Sequence, residues 1–251
     1  MTQKITYNRP VVLSVGGFDP SSGAGVLADI KTFEQHKVIG VSATTSITIQ
    51  NENEFEKVYW LTEKQIEEQL EILFRVYEIN VAKIALVENF NSLQFIISTL
   101  KRYNAAIKII FDPILKATAG FSFHENFDRQ KLMNDVYLIT PNFEEAKKIF
   151  NTNEPIEFLS STKLNSNILL KGGHSKDEKF AVDILFIPKN KTEFKTERLQ
   201  NTEKHGSGCV LSSAIAANLA MNKNLEQSCE LAKNYLQQFL KSNGNKLGFH
   251  T

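Results

Sequence analysis

His205-Gly206-Ser207-Gly208-Cys209-Val210-Leu211-Ser212-Ser213-Ala214-Ile215-Ala216-Ala217-Asn218-Leu219 is a glycine-rich turn that feeds directly into an apolar helix. The two glycines allow backbone angles that leave successive N–H groups pointing one way, and the helix adds four unpaired N–H groups and a positive dipole end. That is an anion hole, able to hold a phosphate without any side chain. Leu211, Ile215 and Leu219 recur at helical spacing, and Ala214, Ala216 and Ala217 let the helix lie close to whatever it packs on. The helix is expected to be buried with its open end at a site. Cys209 sits in its first turn, where the dipole favours the thiolate, which marks the cysteine as a candidate for chemistry. A Gly-x-Gly turn beside a small buried cysteine is also an ordinary piece of structure, so the other stretches decide.

Working outward, the amino-terminal part repeats the theme. Val11-Val12-Leu13-Ser14-Val15 reads as a buried strand that stops at Gly16-Gly17. The loop Phe18 to Gly25 follows, and Ser21 or Ser22 is expected to cap a helix carrying Val26, Leu27, Ile30 and Phe33 on one face. Asp29 lies on its second turn and by position alone reads as a solvated surface acid. Gly16-Gly17 and Gly23-x-Gly25 do not form G-x-G-x-x-G, so a dinucleotide fingerprint is set aside.

Strand and helix then alternate. Strands are expected at 41–49, 55–60, 81–86, 107–111, 136–139 and 167–170, and a hairpin at 180–187 and 193–199. Helices are expected at 63–77, capped by Thr62, and at 92–103, 129–133, 144–150, 208–219 and 225–241. The alternation predicts one α/β domain spanning residues 1–251, a mostly parallel central sheet with helices on both faces. Polar or glycine residues recur at the carboxyl ends of successive strands: Gly17 and Asp19, Gln50, Asp112, Asn142 and Glu145, then Lys171. In a parallel sheet those ends share one edge, so these residues are expected to line a single crevice.

Composition narrows the partners. In 251 residues, 29 Lys and Arg balance 28 Asp and Glu, leaving a formal charge of +1. That gives no electrostatic case for nucleic acid or an acidic membrane and points to a small molecule. Two cysteines make no disulfide framework, and no apolar run approaches a membrane span, so the expected location is cytoplasmic.

Six segments in order carry a resemblance: Gly17-Phe18-Asp19-Pro20-Ser21-Ser22-Gly23-Ala24-Gly25 with Ala28-Asp29-Ile30-Lys31-Thr32; Gln50-Asn51; Asp112-Pro113-Ile114; Thr140-Pro141-Asn142-Phe143-Glu144-Glu145-Ala146; Lys171-Gly172-Gly173-His174; and His205 to Cys209. Together they resemble the hydroxymethylpyrimidine and phosphomethylpyrimidine kinases of thiamine biosynthesis, within the ribokinase-like fold. The resemblance implies transfer of the ATP γ-phosphate to the hydroxymethyl group of an aminopyrimidine, then a second transfer giving the diphosphate. It implies pyrimidine contacts at Gly17, Ala24, Asp29, Gln50, Leu86 and Ile114, and a catalytic group of Cys209 with Gly206 and Gly208. It also implies nucleotide contacts at Lys171, Asn142 and Ser207, and Mg²⁺ held near Asp112 and Glu145. A homodimer is expected by the same analogy. The amide of Gln50 suits the amino donor and ring-nitrogen acceptor of an aminopyrimidine edge.

The chain also departs from the family pattern. The usual Ala-Lys-Ser-Gly after Asp-Pro is replaced by Lys116-Ala117-Thr118-Ala119-Gly120, with Thr118 at the lysine's place. The usual Asn-Thr-His before the anion hole is Glu203-Lys204-His205, and Phe18 stands where a small hydroxyl residue is common. Two further readings stay open: a pyridoxal kinase of the same fold, which Gln50 argues against, and a pyrimidine-binding relative weak in catalysis, which Thr118 favours.

Overall fold

The computed structural model describes residues 7–114, 128–172, 179–188, 190–199 and 202–250. Nine strands form one sheet in the order β3-β2-β1-β4-β5-β6-β7-β8-β9. The centre, β2 (Ile39–Gln50), β1 (Val11–Phe18), β4 (Ile79–Ile84), β5 (Lys108–Phe111), β6 (Leu138–Ile139) and β7 (Asn167–Leu170), is parallel throughout. The flanking β3 (Phe55–Trp60), β8 (Phe180–Ile187) and β9 (Asn190–Glu197) are antiparallel. Burial of nearly every residue of β1 matches a strand covered on both faces, which is why its sequence runs apolar instead of alternating.

Helices cover both faces, as the alternation requires. On one side Ile66, Leu70 and Phe74 of α2 (Glu63–Val76) and Leu93, Ile96 and Ile97 of α3 (Phe90–Tyr103) join one core. The same core takes in α4 (Arg129–Asp135), α5 (Phe143–Phe150) and α6 (Pro155–Ser161) through Leu132, Phe150 and Leu159. On the other side α1 (Gly25–Gln35), α7 (Ser207–Ala220) and α8 (Leu225–Lys241) enclose the second core. Thr62 caps α2 in a reciprocal box with Gln65, as its sequence predicts. Every residue of α7 from Cys209 to Leu219 is buried, so this helix is central to the molecule, as expected.

Two local expectations need correction. Neither Ser21 nor Ser22 caps α1; the N-cap is Ala24, without a side-chain cap, and the Asp19 carboxylate instead accepts the Ala24 N–H at 2.9 Å. The serine expectation failed because Ser22 adopts φ 55° and Gly25 φ 62°, a turn that carries the chain past both hydroxyls before the helix starts. Helix α6 was not anticipated, because it is one short segment opened by Pro155 at its first turn and it lacks a capping side chain. Thr118, Lys116, Gly173 and His174 lie outside the described residues.

The chain leaves β1 toward β2 on one side and later returns to β4 on the other, so the strand order reverses beside β1. A crevice opens at the carboxyl ends of strands where such a reversal occurs. No helix among the described residues is long and apolar enough to cross a membrane.

Candidate active site

A cavity of about 700 Å³ lies along that edge. Sheet order sets out its walls: Gln50 ends β2, Gly17 lies in β1, Leu86 follows β4, and Asp112, Asn142 and Lys171 follow β5, β6 and β7. Ala24, Ile114, Glu145 and the α7 entry Gly206, Ser207, Gly208 and Cys209 also line it. Of the residues expected at a site, all but Asp29 face this one space. A bulge between Ile49 and Gln50 re-aims the end of β2 where Gln50 enters the wall.

The open end of α7 is built by close approach. Gly206 is its N-cap at φ 75°, with no side-chain cap hydrogen bond. A Cβ on Gly206 would stand 2.0 Å from the Gly23 carbonyl oxygen and 2.8 Å from the Ala24 Cα, so no larger residue fits between the two loops. A ring of Asp19 contacts locks those loops. Its Oδ2 takes the Ala24 N–H at 2.9 Å and lies 2.8 Å from His205 Nε2, while Oδ1 takes the Ser21 N–H at 2.9 Å. Burial alone would raise the Asp19 carboxyl, but the bonds from His205, Ser21 and Ala24 outweigh it and hold it below the usual range. The sequence places Asp19 at the crevice, where it lies; its part in tying the two loops together depends on contacts with His205 and Ala24 that only the fold brings about.

Two ammonium–carboxylate pairs flank the first turns of α7. Lys171 Nζ donates to Asp112 Oδ1 at 2.9 Å and stands 3.8 Å from Glu145 Oε2. Thr140 and Ser212 hydroxyls also donate to Asp112, at 3.0 and 2.9 Å. The Lys171 ammonium lies 3.4 Å from where a Cβ on Gly208 would stand, so a cation borders the anion hole. Burial would lower Lys171, but Asp112 and then Glu145 outweigh it and keep it charged. Burial raises the Glu145 carboxyl above its ordinary value, more than Lys171 lowers it. Asn142 and Glu145 form a reciprocal capping box at the start of α5: Asn142 Oδ1 takes the Glu145 N–H at 2.9 Å, and Glu145 Oε2 takes the Asn142 N–H at 2.7 Å. The box sets both side chains at the cavity wall, which is why the spacing Asn-x-x-Glu matters physically.

The second pair corrects the expectation for Asp29. Its side chain is fully buried behind the cavity, not on its wall and not on the surface. Lys83 Nζ donates to Asp29 Oδ1 at 2.5 Å, Ser213 Oγ to the same oxygen at 2.7 Å, and Ser14 Oγ to Oδ2 at 2.6 Å. Sealed from the cavity by its neighbours, this carboxylate does not meet the space where a pyrimidine would lie. Lys83 was missed in the sequence; the available signal was a charge inside the apolar strand Ile79–Ile84, which a buried lysine must answer with a partner. Lys83 also donates to the Cys209 carbonyl at 3.2 Å.

Cys209 lies where the sequence puts it, but in surroundings that disfavour the thiolate. Only 4% of it is exposed, and burial pushes its thiol up to about 11. The Lys83 charge and a hydrogen bond from the Gly25 N–H oppose that rise without cancelling it. The helix-end effect that favours a thiolate is thus overridden by desolvation.

An α/β fold whose strand-end crevice joins an anion hole, a bordering ammonium and paired carboxylates is that of a small-molecule phosphotransferase. A family profile described as phosphomethylpyrimidine kinase matches residues 19–250. The chain belongs to that family. It is 32% identical to the hydroxymethylpyrimidine/phosphomethylpyrimidine kinase of Aquifex aeolicus over 251 aligned residues, 95% of this chain and 96% of that protein. It is also 32% identical to the bifunctional thiamine biosynthesis protein ThiDN of Methanocaldococcus jannaschii, covering 96% of this chain and 56% of that protein. Among solved structures, the phosphomethylpyrimidine kinase of Clostridium difficile aligns at TM-score 0.73 and 30% identity, with 92% of this chain and 99% of that one. An ADP complex of Bacillus subtilis pyridoxal kinase aligns at TM-score 0.83 and 23% identity, covering 97% and 98%, a likeness of fold.

Proposed function

We propose that this protein transfers the γ-phosphate of ATP to the hydroxymethyl group of 4-amino-5-hydroxymethyl-2-methylpyrimidine and then to the resulting monophosphate. One observation carries the reading: the Gln50 end of the cavity and the anion hole at Gly206 to Cys209 belong to one continuous space. The Gln50 amide pairs with the amino group and ring nitrogen of the pyrimidine, and Gly17, Ala24, Leu86 and Ile114 enclose the ring. Backbone N–H groups at the start of α7 receive the transferring phosphoryl group, and Lys171 offsets its charge. Asp29 acts behind the wall, through Lys83 and the Cys209 carbonyl.

Asp112 and Glu145 would hold Mg²⁺. The chemistry of the donors fits: two carboxylates at a phosphate site suit a hard cation that keeps waters and phosphate oxygens as its other ligands. The raised Glu145 carboxyl is what a nearby cation would lower. When bound, Mg²⁺ neutralises phosphate charge.

Cys209 takes the hydroxymethyl proton in its thiolate form. A loose transition state asks little of this base, so a thiol that is mostly protonated at neutral pH still serves, at a rate that climbs with pH. Cytoplasmic location and a homodimer complete the proposal; exposed Ile47, Ile49 and Tyr59 on β2 and β3 are the surface offered for the dimer.

The test is a coupled assay of ADP formation with the hydroxymethylpyrimidine, its monophosphate and pyridoxal as separate acceptors. Turnover with both pyrimidines and little with pyridoxal is expected. Turnover with pyridoxal alone would assign the chain to the other vitamin, and none with any acceptor would favour a binding relative.

A further inference from the structure

We propose that Lys204 is a positioning residue, a tethered cation that straps the segment 243–250 across the anion-hole loop and fixes its geometry for phosphoryl transfer. The side chain is only 6% exposed, yet it carries a full charge into a cage of oxygens. Its Nζ donates to the Asn243 carbonyl at 2.6 Å, to Asn243 Oδ1 at 2.7 Å, and to the Asn245 carbonyl. An ammonium has three protons, and these three acceptors satisfy all of them. Two of the three acceptors are backbone carbonyls in irregular chain, which without a cation would be left unanswered.

The strap reaches the reacting centre through two routes. Directly, the next residue donates its backbone N–H to the Lys246 carbonyl at 2.9 Å, and the ring of that residue, His205, holds Asp19. Laterally, the side chains of His205 and Leu247 fill the space beside Gly23, next to Ala24 of the pyrimidine wall. The segment is closed by an internal bond and held near its far end. Asn243 Nδ2 donates to the Leu247 carbonyl at 2.8 Å, and His250 Nδ1 lies 3.0 Å from the Tyr235 hydroxyl. Releasing Lys204 therefore frees one edge of Gly206, whose backbone sits within van der Waals limits of Gly23 and Ala24.

The role rests on the kinase reading above, but its readouts do not all depend on it. Lys204→Ala and Lys204→Met are compared with wild type by kcat, by thermal midpoint and by amide hydrogen exchange over residues 19–25 and 205–209. Loss of kcat by about tenfold or more is expected for both, as for a misplacement of reacting groups by a fraction of an ångström, with the thermal midpoint lowered by the oxygens left unpaired and exchange of both loops faster. Added ammonium or methylammonium should restore Lys204→Ala several-fold, because the cage is emptied, and leave Lys204→Met unrestored, because its side chain fills the space. Wild-type kcat in both variants would overturn the proposal, and so would a loss of kcat without faster exchange and without amine rescue. Should Lys204→Ala fail to fold, Asn243→Ala, which removes one oxygen of the cage, is expected to give a smaller version of the same exchange change; unchanged exchange there overturns it. Faster exchange in an enzyme inactive toward every acceptor would retain the strap and reject the substrate assignment.

Discussion

Two ammonium–carboxylate pairs stand on either side of α7, and consecutive residues of that helix serve them: Ser212 donates to Asp112 and Ser213 to Asp29. The chemistry is the same and the surroundings are opposite. Lys83 and Asp29 have no exposed side-chain surface, whereas the Lys171 side chain is 14% exposed and opens on the cavity. A sealed pair can only hold elements together, here β4, β1, α1 and α7. A pair that meets the cavity can exchange partners, so the same ammonium that steadies Asp112 is able to meet a phosphate.

Breaking the sealed pair should produce the largest effect. Lys83→Met leaves Asp29 charged and buried, and removal of one partner of such a pair costs about 3–5 kcal/mol. Urea unfolding measures it, and the double variant Lys83→Met with Asp29→Leu should recover much of the loss. A single-variant loss below about 1 kcal/mol would erase the distinction drawn here.

Breaking the open pair should tell in the rate. Lys171→Met is expected to lower kcat by about 10²–10³-fold, the range for removing a charge-stabilising group from a developing anion, with a smaller stability loss than Lys83→Met because the Lys171 end of the pair opens on the cavity. Steady-state kinetics beside a thermal melt reads both quantities. A larger loss of stability than of rate would place Lys171 with Lys83 as a structural cation.

Cys209 lies between the two pairs and sharpens the comparison. Cys209→Ala should lower kcat by about 10²-fold while ATP affinity stays near wild type, because the backbone N–H groups remain. Cys209→Asp should retain more activity than alanine, since a carboxylate is ionised at neutral pH. Because burial lifts the thiol to about 11, wild-type kcat/KM should keep rising with pH past the value of a free cysteine, toward that figure. A plateau below pH 9 would remove Cys209 as the base.

The sequence made the open features legible and concealed the sealed ones. Gly206 to Leu219 announces a buried helix with an open end, because glycines and small apolar residues at fixed spacing have few other uses. Gln50, Asp112, Asn142 and Lys171 are readable as strand-end residues for the same reason. Lys83 was not, since it sits in an apolar strand and its meaning depends on a partner distant in sequence; Asp183 and Lys233, which meet at 2.8 Å between β8 and α8 at the cavity wall, likewise depend on each other across the fold. Asp29 misled for the converse reason: nothing local distinguishes a carboxylate that faces a ligand from one that faces a buried lysine. Cys209 stands at the cavity wall in the first turn of α7, while burial, a property of packing that sequence does not carry, works against the thiolate that the helix end favours.

The smallest expected effect is at the far end of the cavity. Gln50→Met should cost about 1–3 kcal/mol in kcat/KM for the pyrimidine and leave the KM for ATP nearly unchanged, since an unpaired amine is left in the pocket. Equal losses for both substrates would make Gln50 a structural residue.

The central claim is that one crevice brings a pyrimidine alcohol to an anion hole holding the ATP γ-phosphate. Phosphorus NMR of the protein with Mg²⁺, ATP and 4-amino-5-hydroxymethyl-2-methylpyrimidine tests it most directly. A phosphomonoester signal that gives way to a coupled diphosphate pair as ADP accumulates is the predicted result. ADP accompanied only by inorganic phosphate would contradict it, because phosphoryl transfer would then be reaching water and not the alcohol.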